Sequence, residues 1–237
     1  MSIEEQYESL KKRKFPIEEI FKFSKELTNS KNIEYHFHLL FAENKMPYLL
    51  YKDLKTSIFL YGEEALTFLE EKMNSDNINE AVFASNLLSS VINHSHNNID
   101  SENLLNHLRK FIKIEDCELR PESIMSLGLV GNEDDINTFC NLLLNDSNDS
   151  SRALAVSALS LLSERLSKEI IQKNSCESLK LSLTNEKSKL VVAHVIATIQ
   201  QLWDTKFGIS IITPATIQSD KLIKARNKAL KLLNKHH

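Results

Sequence analysis

The sequence predicts an all-α chain, an α-solenoid of stacked antiparallel helix pairs, on three observations. First, one helical pattern recurs: Glu80-Ala-Val-Phe-Ala-Ser-Asn-Leu87, Arg120-Pro-Glu-Ser-Ile-Met-Ser-Leu127, Arg152-Ala-Leu-Ala-Val-Ser-Ala-Leu159 and Lys189-Leu-Val-Val-Ala-His-Val-Ile196, with starts 40, 32 and 37 residues apart. A period in that range marks stacked helical hairpins. Second, the aligned columns are apolar at helical offsets: Ala84, Ile124, Val156 and Ala193, then Leu87, Leu127, Leu159 and Ile196, one turn apart on one face. Third, the 237 residues contain only four Gly and four Pro. No strong alternating strand pattern occurs, and Ile209–Ile212 is the nearest β-like run.

The elements follow in order. Ile3–Lys14 reads as an amphipathic helix, and Pro16 is placed to open a second over Ile17–Thr28, with Ile17, Ile20, Phe21 and Leu27 on one side. Asn32–Glu43 and Tyr48–Tyr61 are expected as helices separated by Pro47. Glu63–Met73 opens with two acids, as a helix N-terminus favours. This stretch lacks the clean repeat and carries 12 of the 17 aromatic residues, so residues 1–75 are expected to form an irregular N-terminal helical region, and 76–237 the repeat region of one continuous domain. Ser75–Asn79 is the candidate hinge. After the polar loop Asn93–Asp100 come a helix over Leu104–Ile114, the repeats through Trp203, an apolar interruption over 208–215, and a basic helix over Asp220–Lys235 with Leu222, Ala225, Ala229 and Leu232 facing inward.

The middle copies carry a more specific signature: Leu119-Arg120, then Leu127-Gly-Leu-Val-Gly-Asn132, Ile136–Leu144, Asn145-Asp146, and Arg152-Ala153 through Leu159. Over roughly residues 115–200 this resembles the HEAT-repeat family in its short bacterial form. The resemblance implies a ladder between repeats, an Asp in the turn and an Arg opening the next helix. Asp146 and Arg152 match those positions. Lys189 replaces the Arg in the last copy, with Asn185 near its turn, and Glu80 breaks the pattern in the first.

Composition excludes several classes. No run approaches the ~18 apolar residues of a membrane span, and the N-terminus lacks the basic-then-apolar order of a signal peptide. Cys117, Cys140 and Cys176 are odd in number and well separated, which fits a reducing, cytoplasmic location; Cys140 shares the apolar face of Ile136, Phe139 and Leu143. No Walker loop, dinucleotide fingerprint or nucleophile elbow is present. His36 and His38 fall on opposite sides of a helix, and His94 and His96 have only Asp100 and His107 nearby, so no metal or other cofactor is expected. The net charge of −3 conceals an asymmetry: residues 76–150 hold 13 acidic and 4 basic groups, and residues 151–237 hold 6 acidic and 14 basic.

These readings converge on a non-enzymatic, protein-binding solenoid, because stacked repeats build a continuous recognition surface. The acidic middle, with Glu115, Asp116, Glu118, Glu133, Asp134 and Asp135, suits a basic partner. A stoichiometric inhibitor, such as an immunity protein against a nuclease toxin, is the specific expectation. Tyr35, Tyr48, Tyr51 and Tyr61 are interface-type residues. The alternative is a nucleic-acid-binding protein that places Lys221, Lys224, Arg226, Lys228 and Lys231 on phosphates. HEAT-like repeats also occur in glycosylases that excise alkylated bases, which the single tryptophan, Trp203, does not favour, and in chromophore-attaching lyases.

Overall fold

The computed structural model describes residues 1–42, 46–95, 101–114, 119–209 and 218–235. All regular structure among them is helical: α1 (Ile3–Lys12), α2 (Ile17–Asn29), α3 (Ile33–Ala42), α4 (Tyr48–Ser57), a 3-10 turn (Ile58–Tyr61), α5 (Glu63–Met73), α6 (Ile78–Ser95), α7 (Glu102–Phe111), α8 (Arg120–Val130), α9 (Asp134–Asn145), α10 (Asp149–Leu162), α11 (Lys168–Asn185), α12 (Lys189–Leu202) and α13 (Ser219–Leu233). No described helix is long and apolar enough to cross a membrane. The chain forms two compact units, residues 1–100 and 101–237.

In the first unit, Ser2 and Glu5 make a reciprocal capping box on α1. The helix expected over Tyr48–Tyr61 tightens into the 3-10 turn and stops at Gly62, whose φ of +59° is a conformation that side chains with a Cβ resist. Helices α2 and α4 pack together: Ser24 bonds Ser57, the last residue of α4, and the Tyr61 hydroxyl in the 3-10 turn reaches the Leu27 carbonyl. The aromatic richness of this region is core chemistry. Phe37 makes edge contacts at 5.5 Å with both Phe68 and Phe83, and Tyr7 packs on Phe15 and Phe23. Helix α6 packs on α5 within this unit, so the division falls at 100/101, not at Ser75–Asn79. That stretch is a tight turn in which Ser75 accepts from the Asn77 N–H and donates to Glu80.

His36 is fully buried, with Nε2 2.9 Å from the Leu54 carbonyl and Nδ1 3.3 Å from the Tyr61 hydroxyl. Burial drives its pKa from 6.5 down to about 4, against the pull of the Leu54 carbonyl. Burial also lifts the Tyr61 phenol to about 12. His38 lies exposed on the opposite side of α3, and His94 stacks on Phe59. His96 and Asp100 lie outside the described residues.

The second unit is built from hairpins. Helix α7 packs on α8, α9 on α10, α11 on α12, and α12 on α13. Helices α8, α10 and α12 also lie side by side, as do α9, α11 and α13. Thus Arg120 and Lys189 open their helices and Arg152 lies in the first turn of the helix between them, while the helix containing Glu80 belongs to the first unit. Neighbours in the α8–α10–α12 layer run parallel. Ser157 meets His194, and Ser160 meets Thr198, at offsets of 37 and 38. Gly128 approaches so closely that a Cβ there would sit 2.8 Å from the Ala158 Cβ and 2.9 Å from its Cα.

Two measurements test this packing. Below pH 6.5 the unfolded chain binds a proton at His36 that the folded chain refuses until about pH 4, so stability falls as pH drops through that window. Denaturant titrations at pH 7.5 and pH 5 should differ by about 2 kcal/mol, and His36→Phe should flatten that dependence. Gly128→Val should cost about 2–3 kcal/mol through overpacking against the α10 backbone.

Candidate protein-binding face

Arginines set the positions of the second unit's helices. Arg120, at the start of α8, has its guanidinium enclosed, with about 6% of the side chain exposed. Its Nε donates to the Ile112 carbonyl at 2.7 Å, one Nη to Ser151 at 3.0 Å, and the fork engages Asp146, itself about 5% exposed. Burial opposes charge on Asp146, but Arg120 and the Asn148 N–H outweigh it and hold the carboxyl below its usual range. Arg152, at the start of α10, donates from Nε to Glu186 at 2.8 Å, and from its Nη groups to the Asp146 carbonyl at 2.8 Å and to Asp149 at 2.7 Å. Glu186, like Asp146, keeps its proton off against burial because Arg152 and two backbone N–H groups favour its charge. Arg109 on α7 repeats the device one step earlier with Asp135, at 2.8 and 3.1 Å.

The ladder positions read from the sequence, Asp146 and Arg152, each make an ion pair between repeats, and not with one another. Asp146 and Arg152 touch only through the Asp146 backbone carbonyl. The carboxylate belongs to Arg120, and the carboxylate partners of Arg152 are Asp149 and Glu186. The turn residue of the next repeat is therefore Glu186, not Asn185. Among the described residues, Lys189 bonds Ser219 at 3.0 Å.

With these helices fixed, three outward stripes emerge: Glu122, Met125 and Leu129 on α8; Ser150, Leu154, Ser157 and Leu161 on α10; Leu190, His194, Ala197 and Gln201 on α12. Each follows helical spacing opposite the core-facing residues. Met125, Leu129, Leu154, Leu161, Leu190 and Ala197 are all half-buried. A helix face turned to water is ordinarily polar; here the exposed residues, Glu122, Ser150 and Gln201, are polar, but the half-buried ones between them are mainly aliphatic, on three adjacent helices. Its larger side chains lie on α8 and α10, and α12 adds Leu190 at one end and the small Ala197 further along.

Ser157 and His194 sit within it, Oγ to Nδ1 at 2.8 Å. Ser157 also donates to the Ala153 carbonyl at 3.0 Å. Its proton is committed there, so it accepts from an Nδ1–H, which leaves Nε2 of His194 as an acceptor. Burial lowers the His194 pKa. A hydroxyl bound in this direction is a packing link and not an activated nucleophile.

The remaining sequence candidates scatter. Glu133 and Asp134 are exposed. Asp135 is not part of an acidic surface: its side chain is about 1% exposed, holds Arg109, and accepts the Asn132 N–H at 2.9 Å. Glu115, Asp116 and Glu118 lie outside the described residues, as does Cys117. Tyr48 is 76% exposed; Tyr35 and Tyr51 are half-buried; the Tyr61 hydroxyl is tied into the interior at His36 and Leu27. Lys221, Lys224, Lys228 and Lys231 share an exposed stripe of α13, whereas half-buried Arg226 turns to bond the Leu183 carbonyl. On α13, Leu233 takes the buried place expected for Leu232. Of the apolar stretch 208–215, Gly208 and Ile209 alone are described; Ile209 is buried, and its carbonyl accepts from Gln200 at 2.9 Å. Cys140 and Cys176 are buried thiols whose pKa values burial raises.

One cleft, about 370 Å³, opens between the C-terminal ends of α9 and α11, bordered by Leu144, Leu181, Asp146, Arg152 and Glu186. Asp146, Arg152 and Glu186 are engaged in the ladder, and Lys187 also lines the cleft.

Arg120→Ala should destabilise by about 3–5 kcal/mol, because it strands a buried carboxylate, whereas the pair Arg120→Met with Asp146→Leu should recover more than half of that loss. Urea denaturation of the three variants measures the difference. Comparison with family models, curated proteins and solved structures gives no match to this chain.

Proposed function

We propose that this chain is a non-catalytic, protein-binding HEAT-like α-solenoid whose partner docks on the outer face of α8, α10 and α12. The observation that carries this reading is the aliphatic surface of Met125, Leu129, Leu154, Leu161 and Leu190, with Ala197 beside them, across three adjacent helices. Burying such a surface stabilises a complex by roughly 25 cal/mol per Å² before the costs of association. The polar pair within the face, Ser157 and His194, is consumed by packing. The two buried thiols fit a reducing, cytoplasmic setting.

The narrower role, stoichiometric capture of a basic partner such as a nuclease toxin, draws its support from exposed Glu133 and Asp134, with Glu122 on the face itself. A second reading, nucleic-acid binding, is favoured by one observation, the exposed lysine stripe of α13. Its affinity for a DNA duplex would fall steeply with salt.

The test is recovery of a stoichiometric complex from native extract. Leu154→Asp with Leu161→Asp should abolish capture while circular dichroism stays helical. Leu181→Asp, outside that face, should capture normally. Equal capture by both would move the interface elsewhere.

A further inference from the structure

A second feature lies where α12 and α13 meet, separate from the face above. Lys187, Lys189 and Arg226 line a small cavity of about 140 Å³ together with Val192, Leu222 and Ile223. Among the described residues its lining contains no carboxylate. Two acids adjoin lining residues in sequence. Glu186 is saturated by Arg152 and the Lys187 and Ser188 N–H groups, and Asp220 is exposed outside the lining. Arg226 is held in place by its Nε bond to the Leu183 carbonyl, so its guanidinium is positioned without being neutralised. Lys189 is steadied by Ser219, a neutral hydroxyl. Three basic residues therefore line one opening, with no acidic residue among the described lining. The other half of the lining is aliphatic, and Ile223 is 55% exposed at its rim. Lys189 and Ser219 are also the first residues of their helices, so the positive ends of two helix dipoles add to the same field.

We propose that this cavity binds an acidic peptide segment of a protein partner, seating one aliphatic side chain against Val192, Leu222 and Ile223 and a neighbouring carboxylate between Lys187, Lys189 and Arg226. The volume matches a side chain rather than a cofactor, whose pockets run to about 300–1,000 Å³. A phosphodiester backbone would satisfy the cations but leave the aliphatic half facing water, and no aromatic platform is present among the lining residues to stack a base. A carboxylate with an aliphatic neighbour satisfies both halves.

The experiment uses the full chain, isotope-labelled, and an acetylated, amidated hexapeptide alternating Leu and Glu. At low salt the peptide should produce saturable amide shifts at Val192, Ser219 and Ile223. Replacing its Glu residues by Gln should weaken binding at least about tenfold, as should Lys187→Glu with Lys189→Glu, whose side chains are exposed and whose exchange leaves the melting temperature in place. The Leu154→Asp, Leu161→Asp chain should bind the peptide normally, which separates this site from the face of α8, α10 and α12. Arg226→Gln should weaken binding similarly if it folds, and the lysine pair decides the matter if it does not. Equal affinity for the Gln peptide, unchanged binding by the lysine variant, or shifts at these amides from a 12-base-pair duplex and not from the peptide would each overturn the assignment.

Discussion

The second unit depends on a buried guanidinium. Arg120 gathers the carbonyl that follows α7, the carboxylate in the turn between α9 and α10, and a hydroxyl in the first turn of α10. Enclosing that charge is costly, and an aliphatic core of equal volume could match it for stability alone. What it supplies is register. A Leu- and Ala-lined helix can slide along its neighbour by a turn at little cost, but a planar fork with donors in fixed directions accepts one alignment. Arg109 and Arg152 repeat the constraint on either side, each joining a helix to an acid 26 or 34 residues further on.

Between the arginines, the layer of α8, α10 and α12 sets its spacing in two ways. At the α8–α10 contact the backbones nearly touch, because Gly128 offers no Cβ to Ala158. At the α10–α12 contact hydroxyls and an imidazole form rungs, Ser157 to His194 and Ser160 to Thr198, with Thr198 continuing to the Val156 carbonyl at 3.0 Å. Close packing draws one pair together, and directional bonds space the other. Both arrangements consume polar or small residues at the seams. Met125, Leu129, Leu154, Leu161 and Leu190, half-buried, are left on the outward stripes, where the proposed docking surface lies.

Much of this was legible in the sequence, and the exceptions have physical causes. Periodicity located the helices because core burial repeats every three to four residues whatever the partner. Which acid answers which arginine was not legible. The pairing skips to the next repeat, and Asp146, close to Arg152 in sequence, is claimed by an arginine 26 residues earlier. Asp135 read as surface because an acid opening a helix usually is; its burial follows from Arg109, a residue on another helix. The boundary at Ser75–Asn79 was a true turn but not a division, since a polar turn looks the same whether or not its flanking helices pack together. The Tyr48–Tyr61 helix ends where expected, but its last four residues, Ile58–Tyr61, tighten into a 3-10 turn before the positive φ of Gly62. The tyrosines, grouped by type, divided by environment, Tyr48 outward and Tyr61 inward.

The same logic revises the electrostatics. Residues 76–150 hold 13 acids, and formal charge made that stretch the natural place to attract a basic partner. Yet Glu80, Glu102, Asp135, Asp146 and Asp149 each face a cation within the fold. A charge neutralised at 2.8 Å, as Asp135 is by Arg109, contributes little to the field beyond one Debye length, about 8 Å at physiological salt. Four lysines of α13 are exposed on one stripe, and Lys187, Lys189 and Arg226 line one opening with no acidic residue among the described lining. Exposed lysines thus place a positive field at the α12–α13 end, while the aliphatic residues of α8, α10 and α12 supply short-range adhesion. A basic partner suited to both would set its cations against exposed Glu122, Glu133 and Asp134 and its apolar residues on the aliphatic face, and would reach the α12–α13 end with a local acidic segment, so that charge orients the approach before the face closes.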